Sequence, residues 1–116
     1  MPPYTIYHNP RCSKSRQTLE LLTQKGIEPD VVEYLKTPLS VQVLQTLVQK
    51  LGVPVIDITR TKEREFKELE LSNLEVTDDQ LLQAIAKNPI LLERPIVVCG
   101  DKAVIGRPPE NVLDLI

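Results

Sequence analysis

Tyr4-Thr5-Ile6-Tyr7-His8-Asn9-Pro10-Arg11-Cys12-Ser13-Lys14-Ser15-Arg16 is the stretch on which the fold turns. Residues 4–7 are aromatic and β-branched and read as a short strand. From about Ser13 to Lys25 the chain reads as a helix, with Leu19 and Leu22 on one face. Gly26 ends that helix, because glycine accepts left-handed backbone angles. The junction is therefore a strand, a tight turn and a helix start, with Cys12 at the turn. A helix start presents unpaired N–H groups and the positive end of the helix dipole. A thiolate is stabilised there, which lowers the ordinary cysteine value of about 8.5 to roughly 3.5–7.5. Arg11, Lys14 and Arg16 add positive charge nearby, and the same donors suit an oxyanion. Polar residues flank Cys12 on both sides, unlike the setting of a small buried hydrophobe. Cys12 reads as a nucleophile in a cationic, anion-receptive pocket. His8, the single histidine, fits a structural role as well as a direct one.

Working outward, Val31-Val32-Glu33-Tyr34-Leu35 reads as a second strand, parallel to the first through a right-handed crossover. Leu44, Leu47, Val48 and Leu51 share one helix face, which Gly52 closes. Residues 53–58 are apolar, but Pro54 cannot donate to a ladder, so the segment reads as a loop. Thr61 is placed to cap a short, exposed, charged helix over 62–69. Thr77-Asp78-Asp79-Gln80 matches a capping box, opening a helix to about Lys87 with Leu81, Leu82 and Ile85 inward. After Asn88-Pro89, the runs Ile96–Cys99 and Ala103–Ile105 flank Gly100-Asp101-Lys102 as a hairpin. Pro108-Pro109 starts a last helix carrying Val112, Leu113 and Ile116. The order β-α-β, helices, β-β-α describes an α/β fold: a small mixed sheet of about four strands with helices on both faces. Sites in such sheets lie beyond the carboxyl ends of parallel strands, which is where Cys12 stands.

The 116 residues suit one domain spanning 1–116. A formal net charge of -2 argues against general binding to nucleic acid or an anionic membrane. With one Phe, three Tyr and no Trp, base-stacking platforms are not expected. No apolar run is long enough to span a bilayer, so a cytoplasmic protein is expected. Cys12 and Cys99 are far apart and belong to no metal-ligand cluster, so no metal is expected. Cys99 ends an apolar run and reads as a buried, inert thiol. Arg60, Arg94 and Arg107 stand at element ends, each able either to point an oxyanion-binding fork into a site or to cap surface carbonyls. Arg94-Pro95 is expected to be trans on pattern alone, since only about 5–6% of X-Pro bonds are cis.

Taken together, the motifs resemble the glutaredoxin-dependent arsenate reductases of the thioredoxin-fold superfamily. The resemblance rests on His8-Asn9-Pro10-x-Cys12 with Ser15-Arg16-x-Thr18-Leu19, on Thr77-Asp78-Asp79-Gln80-Leu81, on Asn88-Pro89-Ile90-Leu91, on Arg94-Pro95-Ile96-Val97-Val98 and on Arg107-Pro108. It implies a thioredoxin-like, three-layer domain with a cis Pro95 facing Cys12. It implies Cys12 as nucleophile, His8 favouring the thiolate electrostatically, and Ser15 donating to it. Arg60, Arg94 and Arg107 would hold the oxyanion. Arsenate would be reduced to arsenite with glutathione as co-substrate, glutaredoxin as partner and no bound cofactor, by a monomer. Ser13-Lys14 and Arg11 depart from the Gly-Thr and small residue of the best-studied members. Two alternatives are a monothiol, glutathione-dependent thiol–disulfide oxidoreductase, which Cys12-x-x-Ser15 also fits, and a non-enzymatic regulator of the Spx type, whose frequent C-x-x-C switch Ser15 rules out here.

Overall fold

Alternate residues of a strand face opposite sides of a sheet, and in β1 (Tyr4–His8) Tyr4, Ile6 and His8 are the buried set. The computed structural model describes residues 3–72 and 75–116. They form two compact units, one from residues up to Thr37 together with Arg94–Ile116, the other from Pro38–Glu93.

The first unit is built on a four-stranded mixed sheet in the order β2-β1-β3-β4. Here β2 is Asp30–Glu33, β3 is Ile96–Cys99 and β4 is Lys102–Ile105. β1 and β2 are parallel, whereas β1/β3 and β3/β4 are antiparallel. The β1–β2 crossover contains α1 (Ser13–Gln24). Tyr4, Ile6, Leu22, Val97 and Val112 make the core, with Leu19, Ile27, Val104 and Leu115 packed around it. At about 25 cal/mol per Å² of apolar surface removed from water, this contact is what holds the helix to the sheet. The mixed sheet and its crossover agree with the sequence reading; β2 begins at Asp30 rather than Val31 and ends two residues sooner. The last element, Pro109–Leu115, is a 3-10 helix packed on α1 and β4, in place of the predicted helix. Val112 is buried there, while Leu113 and Ile116 are exposed.

In the second unit, α2 (Val41–Leu51) packs against α4 (Asp78–Lys87). Ser40 caps α2 by accepting the Val43 N–H, and Gly52 closes it at φ 68°. Leu44, Leu47, Leu81, Leu82 and Ile85 are buried, as their spacing requires. The predicted loop over 53–58 contains a 3-10 turn, Val55–Ile58, which buries Val55 and Ile58. Pro54 does stop a strand, but a 3-10 turn needs no N–H from it. The charged helix is shorter than predicted: α3 is Arg64–Glu68, preceded by Glu63 rather than capped by Thr61. Phe66 turns inward from it and is buried.

Candidate active site

β1 ends on His8, and a tight turn returns the chain into α1. Asn9, buried, makes that turn by three bonds: its carbonyl accepts the Cys12 N–H (3.0 Å), its Oδ1 accepts the Arg11 N–H (3.0 Å), and its own N–H donates to Ser15 Oγ (3.1 Å). The sequence reading places a tight turn at this junction, but nothing in it marks Asn9 as the hub. Arg16 Nη1 closes the turn from outside by donating to the Pro10 carbonyl (3.0 Å).

Cys12 occupies the cap position of α1, with extended angles (φ -94°, ψ 123°) and its carbonyl accepting the Arg16 N–H. No oxygen side chain caps this helix start; a sulfur stands in the cap position. Arg107 Nη2 donates to Cys12 Sγ at 3.3 Å, and Arg107 Nε is anchored on the Arg94 carbonyl at 2.7 Å. Partial burial pushes the thiol pKa up. The Ser15 backbone N–H, the Arg94 guanidinium donating to the sulfur and the charges of Arg107 and Arg94 outweigh that burial, so the pKa lies below the ordinary thiol value. Cys12 is partly buried.

His8 and Ser15 meet each other: His8 Nδ1 and Ser15 Oγ are 2.6 Å apart and both side chains are buried. Burial lowers the His8 pKa; Glu33, opposite it in the β1–β2 register, raises it, and Arg16 lowers it further. The net shift is downward, so the imidazole is neutral near pH 7. Ser15 reaches Cys12 through its backbone N–H, while its hydroxyl is engaged by His8 and Asn9.

Pro95 is buried and joined to Arg94 by a cis bond, as the resemblance implied and pattern alone did not; Arg107-Pro108 is also cis, which no sequence signal flagged. Arg60 belongs to the second unit. Its Nε donates to Glu63 Oε1 (3.3 Å) and its Nη1 to Glu93 Oε1 (3.0 Å). Its backbone N–H pairs with the Leu91 carbonyl beside the Thr59–Leu92 bridge. Cys99 is half-buried, packed against the core beside Tyr4. The geometry thus brings Cys12, Arg94 and Arg107 together, and His8 with Ser15 behind them. A thiolate flanked by two guanidinium forks can receive a tetrahedral oxyanion and attack its central atom.

The model of the ArsC family matches residues 7–115. An arsenate reductase from Haemophilus influenzae is 51% identical over 112 residues, 96% of this chain and 97% of that one. The Escherichia coli K12 protein named "Uncharacterized protein YfgD" is also 51% identical over 112 residues, covering 96% and 94%. Among solved structures, an arsenate reductase from Vibrio cholerae superposes with a TM-score of 0.97 at 50% identity, covering 99% of this chain and 98% of that one.

Proposed function

The chain belongs to the ArsC family, and from that premise we propose that it is an arsenate reductase whose Cys12 thiolate attacks arsenic(V). The observation that carries this reading is the Arg107 guanidinium 3.3 Å from Cys12 Sγ, with Arg94 beside it. An oxyanion approaching a thiolate is repelled, and preorganised positive charge offsets that repulsion without reorganising during the step. Attack forms an As–S bond and one arsenate oxygen leaves as water. Two thiols, Cys12 and one from glutathione, then supply the two electrons that take arsenic(V) to arsenic(III). The disulfide equivalent they form is taken up by glutathione and glutaredoxin, and arsenite is released.

His8 works through Ser15. A neutral imidazole holding the Ser15 hydroxyl fixes the first turn of α1, and with it the N–H that faces the sulfur. Arg60, for which the resemblance implies a third oxyanion contact, pairs with Glu63 and Glu93 in the second unit. The family match runs through both units, which supports residues 1–116 acting as one domain. A single copy suffices, in the cytosol, where glutathione keeps both cysteines reduced.

Arsenite release with glutathione and glutaredoxin tests the reading. Cys12→Ser is expected to fall to the rate without enzyme, and full activity in that variant would sink the mechanism. Arg94→Ala, Arg107→Ala and Arg60→Ala are each expected to raise the arsenate KM. An unchanged KM in Arg60→Ala removes that residue from the site. Reduction of a glutathionylated disulfide with no arsenate turnover would select the thiol–disulfide alternative.

A further inference from the structure

The Cys12–Arg107 contact joins residues 95 positions apart, and something must hold the two chain segments in register. Several bonds fix Arg107 to its own neighbourhood. Its Nε is on the Arg94 carbonyl, and Asn111 Nδ2 donates to the carbonyls of Ile105 and Arg107, both at 3.1 Å. None of these reaches α1, which carries Cys12. Among the described residues, the Thr18 side chain does, by a hydrogen bond. Thr18, fully buried on the face of α1 that looks at β4, shares its hydroxyl proton between the Lys14 carbonyl (2.8 Å) and the Gly106 carbonyl (3.3 Å).

Gly106 is where the approach is closest. A Cβ on it would lie 2.6 Å from Thr18 Oγ1, 2.8 Å from Pro95 Cγ and 3.0 Å from Thr18 Cγ2, distances that side chains do not tolerate. Its N–H is taken by the Pro95 carbonyl at 2.9 Å. The missing side chain at 106 therefore lets the strand end that carries Arg107 seat directly on α1. Thr18 supplies both the surface it rests on and a bond across the join.

We infer that Thr18 and Gly106 are positioning residues that hold the Arg107 guanidinium on the Cys12 sulfur. Their catalytic meaning rests on the reductase reading; the positioning itself does not. The groups facing the sulfur are Arg94, Arg107 and the Ser15 N–H, and substituting Thr18 removes none of them. Any change in the thiol that follows must come through their placement.

The test is the pH profile of Cys12 alkylation by iodoacetamide, which needs no arsenate. It is run on Thr18→Val, which keeps the shape without the hydroxyl, and on Thr18→Ser, which keeps the hydroxyl. Gly106→Ala is run alongside, and Thr18→Val is repeated on an Arg107→Gln background. Far-ultraviolet circular dichroism confirms folding. Thr18→Val and Gly106→Ala are expected to raise the midpoint by up to about one unit, the low end for losing an opposite charge at contact distance. Thr18→Ser is expected to stay near the parent value. On Arg107→Gln, Thr18→Val should add nothing. An unmoved midpoint in both Thr18→Val and Gly106→Ala overturns the inference, as does a Thr18→Val shift of equal size with and without Arg107. If Thr18→Val does not fold, Gly106→Ala and Thr18→Ser decide alone. Failure here leaves the turnover of the parent chain untouched, so it is distinguishable from failure of the reductase reading.

Discussion

Helix α4 starts on Thr77, whose hydroxyl accepts the Gln80 N–H (3.2 Å) while Gln80 Oε1 accepts the Thr77 N–H (2.8 Å); Asp78 and Asp79 follow in its first turn. Helix α1 starts on Cys12, closes no side-chain cap bond and has Lys14 where α4 has an acid. The first arrangement satisfies the free N–H groups and meets the helix dipole with negative charge. The second sets a sulfur before the Ser15 N–H in place of an oxygen cap and adds cations nearby. A helix start can be stabilised by its own side chains or reserved for an incoming anion, and this chain does the first at α4 and the second at α1.

Three measurements sharpen or break that contrast. The largest effect is expected at Thr77. Thr77→Ala should lower the stability of the fold by about 1 kcal/mol, within the usual 0.5–2 for a lost cap. Urea unfolding reads it, and a loss below a tenth of that would mean the capping box is idle. Next comes Lys14→Glu, which gives α1 the acid that α4 already has. It should slow Cys12 alkylation at neutral pH by a few-fold, since an exposed charge in a first turn is worth about 0.3–1 kcal/mol at low ionic strength. The effect should shrink in high salt. An unaltered rate at low salt would show that open cationic character at this end is irrelevant to the thiol.

The smallest effect is in the pH dependence of stability. The Cys12 pKa falls on folding, so the folded state gains from the thiolate. That gain is complete above the ordinary thiol value of about 8.5 and is lost as pH falls through the folded value. The stability of the parent relative to Cys12→Ser should therefore rise with pH up to about 8.5, read by unfolding at several pH values. A flat difference would mean that the sulfur is no substitute for a cap.

Much of this was legible before any coordinates. Gly26, Gly52 and the Thr77 box are local signals that the folded chain keeps. Cys12 was legible because polarity and charge crowd round it in sequence. By themselves Arg94 and Arg107 read only as residues at element ends, and the family resemblance adds an oxyanion role; their meeting at one sulfur comes from the antiparallel β3–β4 pairing. What composition could not show was packing. Phe66 sits in a run of charges and is buried all the same, because a short helix needs only one inward side chain. Thr61 looked like a cap, yet α3 begins three residues later, where the turn at Arg60 and Glu63 directs the chain. Thr18 and Gly106 carry no chemistry of their own, and only their separation of 88 positions closed to contact distance shows what they do.

The guanidinium that sharpens Cys12 is supplied from 95 residues further along the chain. During synthesis at about 5–20 residues per second, the thiol is made seconds before its partner. Until that partner arrives the sulfur lacks its Arg107 donor, so less of it is thiolate than in the folded chain. The full electrostatic setting of the thiol therefore belongs to the finished fold and not to the motif that carries it.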